Sequence, residues 1–140
     1  QKRKELANTT IVAAKKNEML MEIQHELNKD ETKFANEYRK KFIQKKINKV
    51  IKNKDEWKVF ETNFNEIHED FFKDLLEAYP NLTSKDLKLS SYLKMNLASK
   101  EIAPLMGISL RGVEIHRYRL RKKMNLDKEI NLNNFLIKNF

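Results

Sequence analysis

The chain has no cysteine, so a disulfide framework and a thiolate metal site are both excluded. It has two glycines and two prolines in 140 residues, too few punctuating residues for a sheet protein built on tight turns. No apolar run approaches the roughly 20 residues needed to cross a bilayer. Tryptophan occurs once. What remains is rich in Lys, Glu, Leu and Asn, the composition of helices joined by short connections. The expected fold class is all-α. The chain opens on Gln1 and not on Met, which reads as a portion of a longer polypeptide. The lack of cysteine fits a reducing compartment and so a cytoplasmic location.

Charge is present in excess of one sign. The formal net charge is +9 and the pI about 9.6, which favours a polyanionic partner over a neutral one. Its distribution carries more than its total. Between Ser109 and Met124 stand Arg111, Arg117, Arg119, Arg121, Lys122 and Lys123 against a single acid, Glu114. Over half of the net charge lies in that one segment.

Three stretches organise the chain. Leu6, Ala13, Leu20 and Leu27 recur every seven residues, with Thr9, Lys16 and Ile23 three places after the first three. This heptad-like stripe predicts a long amphipathic helix that pairs with a second copy through Leu6, Ala13, Leu20, Ile23 and Leu27. Packing on its own domain is the competing reading. A second helix is expected from Glu31 to about Asn53, with Phe34, Tyr38, Phe42, Ile47, Val50 and Ile51 on its apolar side and a solvated exterior that includes Lys40, Lys41, Lys45 and Lys46. Residues 1–54 are thus read as dimerisation and linker helices, and residues 55–140 as a helical domain.

In that domain Asp55 is placed to cap a helix bearing Trp57, Phe60 and Phe64. After a break near Asn65, Ile67, Phe71, Phe72, Leu75, Leu76 and Tyr79 line another helix, which Pro80 ends. Thr83 or Ser84 caps the next, with Leu87, Tyr92 and Leu93 inward. A last short helix, about 132–139, offers Leu132, Phe135, Leu136 and Phe140 as a lid.

The segment 99–124 has the spacing of a helix-turn-helix. Ser99 is the expected cap of the first helix, and Ile102, Ala103 and Met106 its apolar face. Pro104 forfeits one backbone hydrogen bond and is expected to bend it. Gly107 supplies the left-handed residue of the turn, Ile108 plugs it, and Ser109 caps the second helix. In the second helix Val113, Leu120 and Met124 fall on one line at about 100° per residue. Arg111, Ile115, Tyr118 and Lys122 fall opposite, with Glu114 and Arg121 on one shoulder and Arg119 on the other. His116 flanks the buried line as a packed imidazole. Arg117, beside it, either reaches a phosphate or pairs with Glu101, the latter being favoured. Gly112 suggests a close approach of backbone, on either side of the helix. The outward set suits the major groove of duplex DNA: a guanidinium can fork onto guanine, an isoleucine can meet a thymine methyl, and a carboxylate can accept from cytosine.

With these residues in view, Leu82–Leu126 resembles the LuxR/GerE-type helix-turn-helix. The matching pieces are Leu82-Thr83, Lys100-Glu101-Ile102-Ala103, Gly107-Ile108-Ser109, Val113-Glu114-x-His116 and Lys122-Lys123-Met124. The aromatic series Trp57, Phe60, Phe64, Phe71-Phe72, Tyr79-Pro80 and the run Arg117–Lys123 are similar to the output region of Bacteroidetes sensor-regulators. The resemblance implies a homodimeric, non-enzymatic transcription factor on double-stranded DNA, linked by a coiled coil to an upstream sensor. Any membrane tether would lie in that upstream part. It places base reading on Glu114, Ile115 and Tyr118, and phosphate contacts on Lys100, Ser109 and the basic helix end with Arg121 and Lys122. Glu114 stands where the wider group often has lysine, so the group's operators do not transfer. No cofactor, metal or small-molecule substrate is expected. Two other classes fit parts of the chain: a phosphoacceptor helix, from Gln24-His25-Glu26-Leu27, and an adaptor whose basic helix binds an acidic protein.

Overall fold

A computed structural model describes residues 2–29, 37–51 and 54–140. Among the described residues there are eight helices and no strand. They are α1 (Lys2–Lys29), α2 (Glu37–Ile51), α3 (Lys54–Ile67), α4 (Phe71–Ala78), α5 (Ser84–Lys94), α6 (Ser99–Met106), α7 (Leu110–Lys123) and α8 (Leu132–Asn139). The all-α expectation holds, with its long N-terminal helix and its helix-turn-helix at α6–α7.

The helix boundaries follow from local chemistry. Thr83 caps α5 by accepting from the Asp86 N–H at 3.2 Å, while the Asp86 carboxylate accepts from the Thr83 N–H at 2.9 Å. This reciprocal box satisfies two donors that a helix start otherwise leaves open. Asn131 opens α8 the same way, its side chain accepting from the Asn134 N–H at 3.0 Å. Ala98, not Ser99, takes the cap position of α6. It lacks a side-chain acceptor, and Glu101 compensates by accepting the Ala98 N–H at 2.9 Å. The break after the aromatic helix comes after Ile67, later than Asn65, so Ile67 ends α3 instead of opening α4. The helix begins at Lys54, placing Asp55 within its first turn; the Asp55 side chain lies outside the described residues.

One core joins nearly all elements. Phe64, Phe71, Leu75, Leu89, Leu93, Ile102, Val113, Leu120, Leu132 and Leu136 are almost completely buried in it. Trp57, Phe60 and Tyr92 form an aromatic chain along its edge, with ring centroids 5.2 Å apart for Trp57–Phe60 and 5.0 Å for Phe60–Tyr92. α8 closes the far side, and Phe140 packs on both Tyr79 and Phe135.

The first helix corrects the sequence reading. α1 packs along α6, α2 and α3 of its own chain. Leu6, the first member of the expected dimer seam, is 3% exposed within the core, and Ala13 packs partly buried against the same core. Lys16, an awkward seam residue, pairs instead with Glu56 on α3. A seven-residue period fits an intramolecular neighbour as well as a second copy, and here the neighbour lies within the monomer. Leu20 and Leu27 are partly buried and Ile23 is exposed.

On α2 the apolar face is narrower than expected. Ile47 and Ile51 are buried, whereas Phe42 and Val50 are exposed. Lys40, placed on the solvated side by sequence, is buried. Phe34 and the Tyr38 side chain lie outside the described residues. Gln24 donates to Asn48 Oδ1 at 2.8 Å and so ties α1 to α2.

Candidate nucleic-acid interface

α6 and α7 meet at a left-handed turn. Gly107 sits at φ 65°, ψ 33°, a conformation that costs other residues on the order of 1–2 kcal/mol. Its N–H closes onto the last turn of α6, and the Ile108 N–H donates to Ala103 O at 3.1 Å. Ser109 then caps α7, its Oγ accepting from the Gly112 N–H at 3.0 Å. Gly112 has a local reason: a Cβ there would lie 3.3 Å from Ser109 Oγ and 3.4 Å from the Ile108 side chain. The added atom would crowd the Ser109 cap and make an ordinary contact with the Ile108 plug.

α7 divides into two faces. Val113 and Leu120 are fully buried and Met124 continues their line. On the other side Arg111 and Glu114 are exposed, with Ile115 at 40% and Tyr118 at 58%. Lys122 is exposed too, its ammonium 4.8 Å from the centre of the Tyr118 ring. An acid, a branched apolar chain, a phenol and two cations thus share one solvent-facing surface. His116 is partly buried beside the core line. Lys100, at the start of α6, is exposed, and Ser109 is exposed at the turn between the helices, with its hydroxyl hydrogen free of the cap bond.

Not every basic residue of α7 faces outward. Arg121 turns its two guanidinium nitrogens to the backbone oxygens of Ile130 and Asp127. It clamps the α7–α8 loop and so is already engaged within the chain. Lys123 binds the Asp86 carboxylate at 2.5 Å and so fastens α7 to the start of α5.

Arg117 makes no ion pair with Glu101, whose carboxylate is engaged at the α6 cap. It borders a polar recess lined also by Asn96, Ser99, Asn131 and Asn134, onto which the starts of α6 and α8 open. Burial, and then the neighbouring Arg121 charge, make its cationic form less favourable than in water. A half-buried guanidinium beside two helix N-termini is well placed to meet an anion. Sequence reasoning missed this recess, because its lining comes from three separate segments, around Asn96, Arg117 and Asn131.

Asp86 is the most perturbed acid near this region. Burial pushes its pKa up, but hydrogen bonds from Lys123 and Thr83 outweigh burial and hold it below the ordinary 3.8. A depressed carboxylate pKa contributes stability that is present above about pH 4 and lost as pH falls through the lowered folded value. Asp86→Ala should therefore cost about 1–2 kcal/mol at pH 7 through the cap and the ion pair. Its deficit should shrink in melts recorded below pH 3.

Among the described residues no group of three His, Cys, Asp or Glu side chains is placed to hold a metal. No described helix is long and apolar enough to cross a membrane. His25 is exposed on α1.

Two helices at a glycine turn, the second inserted by one face and free on the other, define a helix-turn-helix domain. Comparison with known proteins gives its family: residues 80–134 match the luxR family of bacterial regulatory proteins and are a LuxR-type helix-turn-helix domain. That is a family of regulators, not of enzymes. The chain is also 36% identical over 52 residues to the tetrathionate response regulatory protein TtrR of Salmonella typhimurium, a match that covers 37% of this chain and 25% of that protein. The chain thus spans about a quarter of the length of this curated relative. No solved structure matches.

Proposed function

We propose that this chain is the DNA-reading part of a larger transcriptional regulator. It acts on duplex DNA with α7 in the major groove. The observation that carries this reading is the shared exposure of Arg111, Glu114, Ile115 and Tyr118 on the free face of a LuxR-type domain. Those four read base edges. Lys100, Ser109, Lys122 and Arg117, the last across its polar recess, hold backbone phosphates and set the register. Arg121 supports them by fixing the loop after α7.

In the proposed assembly two copies bind two half-sites. Leu6 and Ala13 are spent within the monomer, so the contact falls to the outer and distal part of α1, where Ile11, Met19 and Ile23 are exposed and Leu20 and Leu27 partly so. Upstream, α1 connects to a sensory region of the kind found in Bacteroidetes sensor-regulators, with any membrane tether in that region and this part in the cytoplasm. The relative's name ties that protein to a response to tetrathionate; the residues of α7 do not specify a signal for this chain.

Selection of bound duplexes from a random pool tests the reading. Enrichment of one motif is expected, with two related half-sites if the bound form is a dimer. Affinity for that motif should fall with salt along a log–log slope of roughly −0.9 per phosphate neutralised. Salt-sensitive binding with no preferred sequence would instead fit an adaptor that uses α7 as a plain cation.

A further inference from the structure

α1, α3, α5 and α6 do not close fully on one another. They leave a cleft of about 380 Å³, mostly apolar, whose walls include Trp57, Phe60 and Leu105. Small-molecule sites span roughly 300–1,000 Å³ and combine such walls with a few polar groups. Asn17 Oδ1 and the Lys88 ammonium have no hydrogen-bonding or ionic partner among the described residues. Asn17 lines the cleft and is 2% exposed. Its Nδ2 donates to Pro104 O at 2.8 Å and to Ile51 O at 3.4 Å. Those bonds fix the amide, because turning it over would set oxygen against two carbonyl oxygens. Its Oδ1 is left buried without a donor, which is uncommon enough in folded proteins to require an explanation. Lys88 also lines the cleft. Its ammonium lies 5.0 Å from the centre of the Trp57 indole and pairs with no carboxylate among the described residues. Burial lowers its pKa, so an anion beside it would be favoured. The Lys16–Glu56 pair spans the same cleft from α1 to α3 and is partly exposed.

We propose that this cleft binds a small planar aromatic acid carrying a hydroxyl or ring N–H, with its ring against Trp57 and Phe60, its donor on Asn17 Oδ1 and its acid group at Lys88. An aliphatic occupant would satisfy the walls and neither polar group. Water alone would serve Asn17 and leave the aromatic wall bare. The site is separate from the outer face of α7, so it stands or falls independently of the DNA reading.

The test uses the whole 140-residue chain and 6-hydroxy-2-naphthoate, which carries the hydroxyl, the rings and the acid. Trp57 is the only tryptophan, so its indole N–H gives one assignable resonance in nitrogen-15 spectra. Titration is expected to shift that resonance and the Asn17 side-chain amide saturably. Lys88→Met should weaken naphthoate binding at least tenfold while changing the affinity for 2-naphthol, which lacks the acid, less than twofold. An unchanged melting curve for Lys88→Met separates this loss from unfolding. The proposal is overturned if no saturable shift appears at millimolar ligand, or if Lys88→Met binds naphthoate as well as the parent chain does. It is equally overturned if the Trp57 resonance moves on dilution of the chain alone, which would make a second copy the occupant.

Discussion

Val113→Asp is expected to abolish cooperative melting of the helix-turn-helix and, with it, all binding to duplex DNA. Val113 is 0% exposed and belongs to the same core as Ile102, Leu120 and Met124. The variant loses about 1.5–3 kcal/mol of apolar burial. It also places a carboxylate among apolar core side chains, at a penalty of several kcal/mol per unpaired ion. Domains of this size are stable by about 5–15 kcal/mol in total, so the two costs together reach the whole margin. Circular dichroism on heating reads the outcome directly. Glu114→Ala, one residue away and exposed, is the matched control and should melt as the parent does. A Val113→Asp chain that melts like the parent would mean that α7 does not insert by this face.

Residues 80–140 were more legible in the sequence than α1, and the reason is where their signals lie. Thr83 with Asp86, Gly107, Ser109 and Asn131 each act within three or four residues of chain. Caps and left-handed turns depend on near neighbours in sequence, so pattern located Gly107 and Ser109 and narrowed the α5 cap to Thr83 or Ser84, though it set the α6 cap at Ser99, one residue past Ala98. The stripe of α1 carries no such local instruction. Leu6 and Ala13 fit a partner helix, and nothing in a period of seven says whether that partner is α6 and α3 or a second copy. Lys16 held a clue, since a lysine in a seam needs an acid, but its partner Glu56 lies 40 residues away.

The same distinction explains the candidate site. The outward placement of Arg111, Glu114, Ile115 and Tyr118 follows from Val113 and Leu120 being inward, a relation internal to one helix. The division of labour among the cations does not. Arg121 is held by two backbone oxygens that have no sequence signature, and Lys123 by an acid 37 residues earlier. A helical wheel sorts the six basic residues by direction and not by partner, and two of them hold the domain together. Asn17 was invisible for a related reason: its two acceptors, Ile51 O and Pro104 O, are main-chain atoms that become neighbours only after α1 packs.

Arg111→Ala should weaken binding to the selected duplex by about 1–3 kcal/mol, roughly 5- to 150-fold, while leaving the melting temperature unchanged. The expectation of an unchanged melt rests on its exposure at the start of α7, outside the core that Val113 begins. A forked guanidinium on guanine carries base discrimination, so the loss should be concentrated on the preferred sequence and be small on a scrambled duplex. A guanidinium that merely holds a phosphate gives the other pattern: both duplexes lose affinity alike, and the salt slope falls by about one unit. Ile115→Ala sharpens the comparison. It removes no charge, so the salt slope must stay the same, and any change in the selected motif at one base step must come from lost contact with a base. If Arg111→Ala weakens all duplexes equally and Ile115→Ala leaves the motif intact, α7 acts as a basic rod on the backbone. Base reading would then have to be sought elsewhere on the domain.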